Sequence, residues 1–201
     1  MHCAIDSLID AAPAECGSIV AIPAGSVILA AALKGEAKME PRLNPYKASP
    51  KGYQAMAAFQ SFVDSCGLEK LMMELVKMRA SQINGCAYCL DMHSKDARAL
   101  GETEQRIYLL NAWRESPFYS ERERAALEWT EAITLISGSH ISDEIYERAA
   151  KQFSGEELAN LTLAIVAING WNRMSIPFHI APGSYKSHLK PLQASASAPT
   201  Q

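Results

Sequence analysis

The chain has 201 residues, of which 48% are hydrophobic and 20% are charged, and this composition is typical of one globular domain with a single core. Lys and Arg are outnumbered by Asp and Glu, 19 against 22, which gives no electrostatic basis for binding nucleic acid or an anionic membrane. No apolar run of about 18 residues predicts a transmembrane helix. Five cysteines are an odd number, and Cys3, Cys16 and Cys66 are isolated, so a reducing, cytoplasmic location is expected rather than a secreted disulfide framework.

The first 38 residues differ from the rest of the chain, because prolines and glycines interrupt them and no clear period emerges. Acidic rather than basic residues precede their apolar part, which argues against a secretory signal. We therefore expect residues 1–38 to be an unstructured or spurious extension and residues 39–191 to form the folded domain, with Met39 as its beginning. Residues 192–201 are mostly Ala, Ser, Pro and Thr, which predicts a disordered tail.

From Met39 onward, residues that start and stop helices recur regularly. Residues 41–46 are predicted to be an extended lead-in, and Ser49 is predicted to cap a helix that ends near residue 66. A second helix is expected from about 68 to 83. A third should begin at the cysteine pair and end at Gly101, and a short fourth should follow Thr103.

The second half of the chain shows the same punctuation. Ser120 with Glu123, and Ser154 with Glu157, match the capping-box pattern and predict the starts of two later helices. Ser142 is expected to cap a helix between them. Neither alternation of period 2 nor an internal repeat is found, so the predicted fold class is all-α, a compact helical domain with no sheet.

The last predicted helix is apolar nearly all round over residues 161–171, a pattern typical of a helix buried on all sides. A domain of this size offers little interior to cover such a helix. We therefore expect a homo-oligomer in which a second subunit covers part of it, with a central helix of a monomer as the alternative. Asn169, Asn172 and Arg173 are expected either to line the site or to make the subunit contact.

The residue spacing that best suits a reactive site is that of Cys86, Cys89 and His93. Asn84-Gly85 predicts the end of one helix, since both residues tolerate the left-handed conformation. On the helix that follows, at about 100° per residue, the two thiols and the imidazole share one stripe. A helix N-terminus lowers the pKa of a thiol, and this effect alone would make Cys86 the more acidic of the two cysteines. The spacing of His93 instead suits proton transfer from Cys89.

Three other interpretations of these residues stay open on spacing alone. A structural zinc site would use the two cysteines and the histidine but would need a fourth ligand. A thioredoxin-like motif would require surrounding βαβ units, which the sequence does not predict. The cysteines could also be ordinary core residues, because free cysteine is readily buried.

A longer motif resembles a known family. Glu74 lies twelve residues before Cys86, and His93 lies four after Cys89. This pattern resembles the signature of the alkylhydroperoxidase D-like proteins of the carboxymuconolactone decarboxylase superfamily. Residues 120–132 and 167–173 are also similar to that family, and the resemblance covers roughly residues 42–185.

The resemblance implies a thiol-dependent peroxidase that needs no metal or other cofactor and reduces hydrogen peroxide or organic hydroperoxides. It implies that Cys89 is the peroxidatic thiol, that Cys86 resolves it to a disulfide, and that Glu74 and His93 form a proton relay. A dithiol reductant, such as a lipoyl-type protein, is the implied partner. The decarboxylase branch of the family lacks the cysteine pair, so decarboxylation is not expected. The alternative is a non-catalytic helical oligomer whose cysteines form a thiol switch or bind zinc.

At Glu74 and Tyr88, the residue itself and the resemblance lead to different expectations. Without the resemblance, Glu74 would be interpreted as a surface carboxylate in ion pairs with Lys70 or Lys77. Tyr88 stands between the cysteines, where the best-known peroxidase of the family has a second histidine, and a phenol with a pKa near 10 cannot replace a base at neutral pH. The remaining histidines are expected on the surface or in loops, and the three tryptophans are expected to serve packing: His2, His140, His179, His188, Trp113, Trp129 and Trp171.

Overall fold

A computed structural model describes residues 40–138 and 140–191, and all regular structure in these ranges is helical, which confirms the predicted all-α class. No helix in this part of the chain is long and apolar enough to cross a membrane. The predictions for the N-terminal extension and the C-terminal tail lie outside the described residues. The eight α-helices are α1 (Pro45–Ala48), α2 (Pro50–Asp64), α3 (Lys70–Asn84), α4 (Ala87–Leu100), α5 (Glu104–Leu109), α6 (Glu121–Thr134), α7 (Asp143–Gln152) and α8 (Gly155–Ser175).

The helix boundaries follow the predicted punctuation closely. Gly85, with φ 73°, adopts the left-handed conformation that ends α3, and Gly101, with φ 106°, ends α4 in the same way. Both predicted capping boxes are present with their reciprocal hydrogen bonds, at the start of α6 and at the start of α8. These local signals therefore fix where the longest helices begin and end.

The predicted lead-in and two of the predicted caps differ in detail from the structure. The lead-in is not extended throughout, because Asn44 Oδ1 accepts hydrogen bonds from the backbone N–H groups of Tyr46 and Lys47 and so starts the short helix α1. Ser49 and Ser142 occupy the N-cap positions of α2 and α7, but neither side chain makes a capping hydrogen bond. The Ser49 N–H instead donates to Pro45 O at the end of α1.

Helix α3 is the centre of the domain, because it packs against α4, α6 and α8. One of its sides contributes Met72 and Val76 to a core shared with α6, α7 and α8, and another contributes Leu75 and Met78 to a core shared with α4 and α6. A helix packed on so many sides also buries some of its polar residues. These are Glu74, Lys77 and Ser81.

Helix α8 is only partly covered by this chain. Leu161 and Ile165 are fully buried against the rest of the domain. Leu163 and Val166, however, are 37% and 49% exposed. The single chain therefore covers part of α8, and the expected cover of the remainder by a second subunit stays a prediction.

The polar residues at the end of α8 brace the turn that precedes the cysteines. Asn84 Nδ2 donates hydrogen bonds to Asn169 Oδ1 at 2.9 Å and to Asn172 Oδ1 at 2.8 Å. Asn172 Nδ2 donates to Ser81 Oγ at 3.1 Å, and Asn172 is fully buried. This arrangement ties α8 to the last turn of α3, and it sets the position from which α4 departs.

We predict that Asn172→Ala lowers the free energy of unfolding by about 2 kcal/mol, because it removes the Asn172 hydrogen bond to the buried Ser81 hydroxyl and one of the two acceptors of the Asn84 amide. Urea unfolding followed by circular dichroism measures the change. Asn160→Ala is the control on the same helix, since it removes one 3.4 Å hydrogen bond to Cys66 O and should cost clearly less. Equal losses in the two variants would contradict the bracing role.

Candidate active site

Cys86 and Cys89 lie at the start of α4, as predicted. Cys86 is the N-cap residue, and its sulfur accepts a hydrogen bond from the Cys89 backbone N–H at 3.3 Å. The two side chains are joined in a disulfide with their Cα atoms 5.4 Å apart, within the usual range for such a bond. Both are almost completely buried beside Ala80 and Ile168.

Cys89, but not Cys86, lines a cavity among the described residues. A cavity of about 490 Å³ opens beside the start of α4, and Cys89, His93 and Glu74 line it together, whereas Cys86 is not among its lining residues. Four aromatic side chains from three helices and the α1 segment form much of its wall: Tyr46, Tyr53, Tyr88 and Trp171. The Tyr53 ring lies 4.8 Å from Tyr46 and 5.9 Å from Trp171, measured between ring centroids. The cavity thus combines one cysteine with a wall that is partly aromatic and partly charged.

The structure places Glu74 in the interior, so the interpretation as a surface carboxylate was wrong. Only 5% of Glu74 is exposed, and its two oxygens have different partners. Oε2 lies 2.8 Å from His93 Nδ1, and Oε1 accepts a hydrogen bond from Lys77 Nζ at 2.9 Å. The ion pair with Lys77 does exist, but it is buried, because α3 is packed on several sides. Lys77 Nζ also lies 3.6 Å from Asp64 Oδ1, near the surface.

The charges in this cluster determine which tautomer of His93 is present. Burial alone would raise the pKa of Glu74, but the hydrogen bond and charge of His93, together with Lys77, hold that pKa below its ordinary value. Burial alone would lower the pKa of Lys77, and the Glu74 charge raises it instead. Glu74 is therefore a carboxylate and can only accept. Nδ1 of His93 is then the donor, which leaves Nε2 as the nitrogen able to accept a proton.

A second buried carboxylate lies on the same stripe of α4. Asp96, one turn after His93, accepts a hydrogen bond from the Tyr185 hydroxyl, whose oxygen is 2.9 and 3.0 Å from the two carboxylate oxygens. Within residues 40–138 and 140–191, Glu74, His93 and Asp96 are the groups close enough to share one ion, with ligand atoms within 4.8 Å of one another. This set contains no cysteine, so it differs from the zinc site considered above. The Lys77 ammonium is already paired with Glu74.

Comparison with known proteins agrees with the motif. The carboxymuconolactone decarboxylase family model matches residues 50–132. Over 138 residues the chain is 46% identical to the uncharacterised protein YdfG of Bacillus subtilis, and the alignment covers 69% of this chain and 94% of YdfG. The chain belongs to the carboxymuconolactone decarboxylase family.

Solved structures of this family and fold extend the comparison. A protein of unknown function from Agrobacterium tumefaciens, suggested to be an antioxidant defence protein AhpD, is 44% identical with a TM-score of 0.70, covering 73% of this chain and 100% of that one. The debrominase Bmp8 shares the fold at 21% identity and a TM-score of 0.62, covering 69% of this chain and 74% of Bmp8. The AhpD-like helical fold expected from the motif is therefore confirmed.

Several lining residues of this family member were not found from its sequence. Trp171 was assigned to packing and His188 to a loop, and although His188 does lie outside regular structure, both line the cavity. Asp96 could have been found, because it lies seven residues after Cys89 and so shares the stripe. Lys77 and Tyr185 reach the site through contacts that spacing alone does not reveal.

The lowered pKa of Glu74 gives a prediction for stability against pH. A carboxyl group whose pKa is lower in the folded protein contributes stability above its unfolded pKa, and this contribution is lost as the pH falls through the folded pKa. Between about pH 6 and about pH 3, the free energy of unfolding should therefore fall less steeply in Glu74→Gln than in the wild type. Urea titrations at several pH values measure the slope. Glu104→Gln, at an exposed glutamate, should keep the wild-type slope, and equal slopes for all three proteins would contradict the buried pairing.

Proposed function

We propose that this chain is a thiol-dependent peroxidase that reduces hydrogen peroxide or organic hydroperoxides. The observation that carries the proposal is that Cys89, and not its partner Cys86, lines the cavity together with His93 and Glu74. A peroxide that enters the cavity meets one thiol with its base beside it. The second thiol lies behind the first, at a distance suitable for closing a disulfide.

The proposed reaction begins with the reduced pair. Nε2 of His93 takes the thiol proton of Cys89, directly or through a water, and Glu74 stabilises the imidazolium through Nδ1. The Cys89 thiolate attacks one peroxide oxygen and the O–O bond breaks, so that the sulfur becomes a sulfenic acid. The departing alkoxide takes the proton that His93 holds and leaves as an alcohol, or as water when the substrate is hydrogen peroxide.

The remaining steps return the enzyme to its starting state. The Cys86 thiol attacks the Cys89 sulfenic acid, forms the disulfide and releases water. A dithiol reductant, for which a lipoyl-type group is our proposal, then reduces that disulfide by thiol exchange and is itself oxidised to a disulfide. One peroxide and one dithiol are consumed for each alcohol, water and disulfide formed.

The size and lining of the cavity support organic hydroperoxides as substrates. A volume of about 490 Å³ lies in the usual range of small-molecule sites and far exceeds the roughly 30 Å³ of a water-sized molecule. Its aromatic wall gives an apolar substituent a surface to pack on. Burial raises the pKa of Tyr88, so this phenol stays neutral and leaves His93 as the base at neutral pH.

Cys89→Ser should abolish dithiol-dependent peroxide consumption, because it removes the attacking sulfur. The assay supplies cumene hydroperoxide and a lipoyl dithiol and follows loss of the peroxide. Cys66→Ser is the matched control, since Cys66 is the free cysteine of the described residues and does not line the cavity, and it should keep wild-type turnover.

The same experiment separates the proposal from its alternatives. Equal turnover by the wild type and Cys89→Ser would end the peroxidase proposal and leave a thiol switch. Stoichiometric zinc in the reduced, purified protein that disappears when Cys86 and Cys89 are substituted would contradict the peroxidase proposal and indicate a metal site.

We also propose that the chain self-associates through the exposed face of α8. Leu163 and Val166 are exposed there, and so is Phe62 on α2, the helix packed beside α8. Apolar surface of this kind is commonly covered by a partner, and a second copy offers the same surface.

Light scattering of the wild type should therefore give the mass of a dimer or larger oligomer of the 21.9 kDa chain. The double variant Leu163→Glu/Val166→Glu should shift it toward the monomer, whereas Leu135→Glu, at an exposed leucine after α6, should not. A dilute wild-type protein that runs as a stable monomer would contradict this proposal.

A further inference from the structure

The cavity beside Cys89 extends along the length of α4. Cys89 lies in the first turn of that helix and Leu100 is its last residue, and both line the cavity. The helical rise per residue puts their backbone levels about 16 Å apart. Hydrogen peroxide needs far less room than this, whereas an extended chain would use the whole length.

Helix α3 shows which residues lie at the end of the cavity away from Cys89. Glu74 of α3 contacts His93 of α4, and the two helices are joined at Gly85, so they form a hairpin. Lys70, one turn before Glu74, is therefore about 12 Å from the level of Cys89 along the helix axes. A long helical side chain leans toward the N-terminus of its helix, which takes the Lys70 ammonium still further from the cysteine.

The segment after α8 runs alongside α4 toward the same end. Gly183 N–H donates to Asp91 Oδ2 at 2.9 Å, and the Tyr185 hydroxyl donates to Asp96, further along α4. His188 and Leu189 come next in the segment and line the cavity. The direction of the segment thus carries these two residues toward the Lys70 end.

The two ends of the cavity differ in their chemistry. Tyr88 and Trp171 pack against the cysteines and give that end an aromatic wall. The wall toward Lys70 is aliphatic, and it is built by buried side chains from the end of α2, the connection to α3, α3 itself and the end of α4: Val63, Leu68, Met73 and Leu100. An alkyl chain that lies against this wall is removed from water.

Lys70 differs from the other charged residues that line the cavity. It is exposed, and among the described residues its ammonium has no hydrogen-bond or ion-pair partner. The remaining lysine and the acidic residues are already paired: Glu74 with Lys77 and His93, Asp64 with Lys77, and Asp96 with Tyr185. Lys70 is therefore the cation of this wall that is left to bind an anionic group of a ligand.

We propose that the cavity binds a long-chain carboxylic acid that carries a hydroperoxide about ten to thirteen carbons from its carboxylate. This inference rests on the proposed function and names its substrate class. The peroxide lies at Cys89, the chain packs on the aliphatic wall, and the carboxylate pairs with Lys70. An extended chain advances about 1.2 Å per bond, so this spacing matches the length between Cys89 and the Lys70 ammonium. Reduction by the dithiol gives the hydroxy acid, water and the disulfide of the reductant.

The first test measures binding and uses no peroxide. The ligand is 13-hydroxyoctadecadienoic acid, the alcohol that reduction of the 13-hydroperoxide would give, and its methyl ester is the uncharged comparison. Isothermal titration calorimetry below the critical micelle concentration gives both dissociation constants for the full chain. The variants are Lys70→Met, Lys70→Arg and, as control, Lys51→Met, at an exposed lysine that does not line the cavity.

The wild type should bind the acid about threefold or more tightly than the ester, the modest gain expected of an exposed ion pair. Lys70→Met should weaken binding of the acid by about the same factor and leave the ester unchanged. Lys70→Arg should keep the preference for the acid, since it keeps the charge, and Lys51→Met should match the wild type.

A second measurement places the ligand beside the cysteine. In a reduced Cys86→Ser background, saturating hydroxy acid should slow alkylation of Cys89 by iodoacetamide, because the bound chain fills the cavity. Cys66 lies in a different tryptic peptide and does not line the cavity, so its alkylation in the same samples should not change.

Equal affinities of the wild type for acid and ester would overturn the inference, as would an equal loss of both in Lys70→Met or unprotected Cys89. Selective binding with protection of Cys89, but without reduction of the 13-hydroperoxide, would retain the acid site and reject only the peroxidase. Turnover of cumene hydroperoxide with no preference between the 13-hydroperoxy acid and its methyl ester would retain the peroxidase and reject this substrate class.

Discussion

The hydrogen bond between Glu74 and His93 is the interaction on which the rest of the site depends. It is buried, it measures 2.8 Å, and it joins helix α3 to helix α4. A buried carboxylate is tolerated there because Lys77 and His93 together give it two partners. The carboxylate fixes the donor at Nδ1 and leaves Nε2 as the nitrogen that can accept a proton, which is the role in the proposed reaction of Cys89. Without Glu74 the imidazole would have neither a defined tautomer nor a defined orientation.

The packing of α3 and the turn before α4 hold Glu74 and His93 in place. Helix α3 is packed by three other helices, and this packing buries Glu74 and Lys77 although charged residues normally stay outside. The left-handed Gly85 then reverses the chain, and Asn172 anchors the preceding turn from α8. Cys89 and His93 follow on one stripe of α4. A few local features therefore set the relative positions of the cysteine, the imidazole and the carboxylate.

The sequence predicts the parts of this arrangement that depend on local signals. The Asn84-Gly85 turn and both capping boxes were found because cap chemistry is a property of four or five consecutive residues. The candidate site residues were predicted through spacing that resembles a known family, not through composition, which would have placed Glu74 on the surface. Its burial depends on helices distant in sequence, and no local pattern encodes it.

The parts that were missed arise from contacts between distant segments. Tyr185 meets Asp96 across 89 residues, and Trp171 reaches the cavity from the end of α8. The apolar sequence of α8 predicts cover on all sides, but it does not show which residues are covered by this chain and which, such as Leu163 and Val166, are left exposed by it. Long-range geometry of this kind is where the structure adds most to the sequence.

The central claim is that Cys89 is the sulfur that reacts, activated by His93 and Glu74. The most direct measurement is to expose the reduced protein to one equivalent of hydroperoxide in the presence of dimedone, and to locate the trapped sulfenic acid by mass spectrometry. Trapping in a Cys86→Ser background avoids competition from disulfide formation. The account predicts an adduct on Cys89 that is strongly reduced by Glu74→Gln. An adduct on Cys86 in the converse Cys89→Ser background, at the same rate, would contradict it.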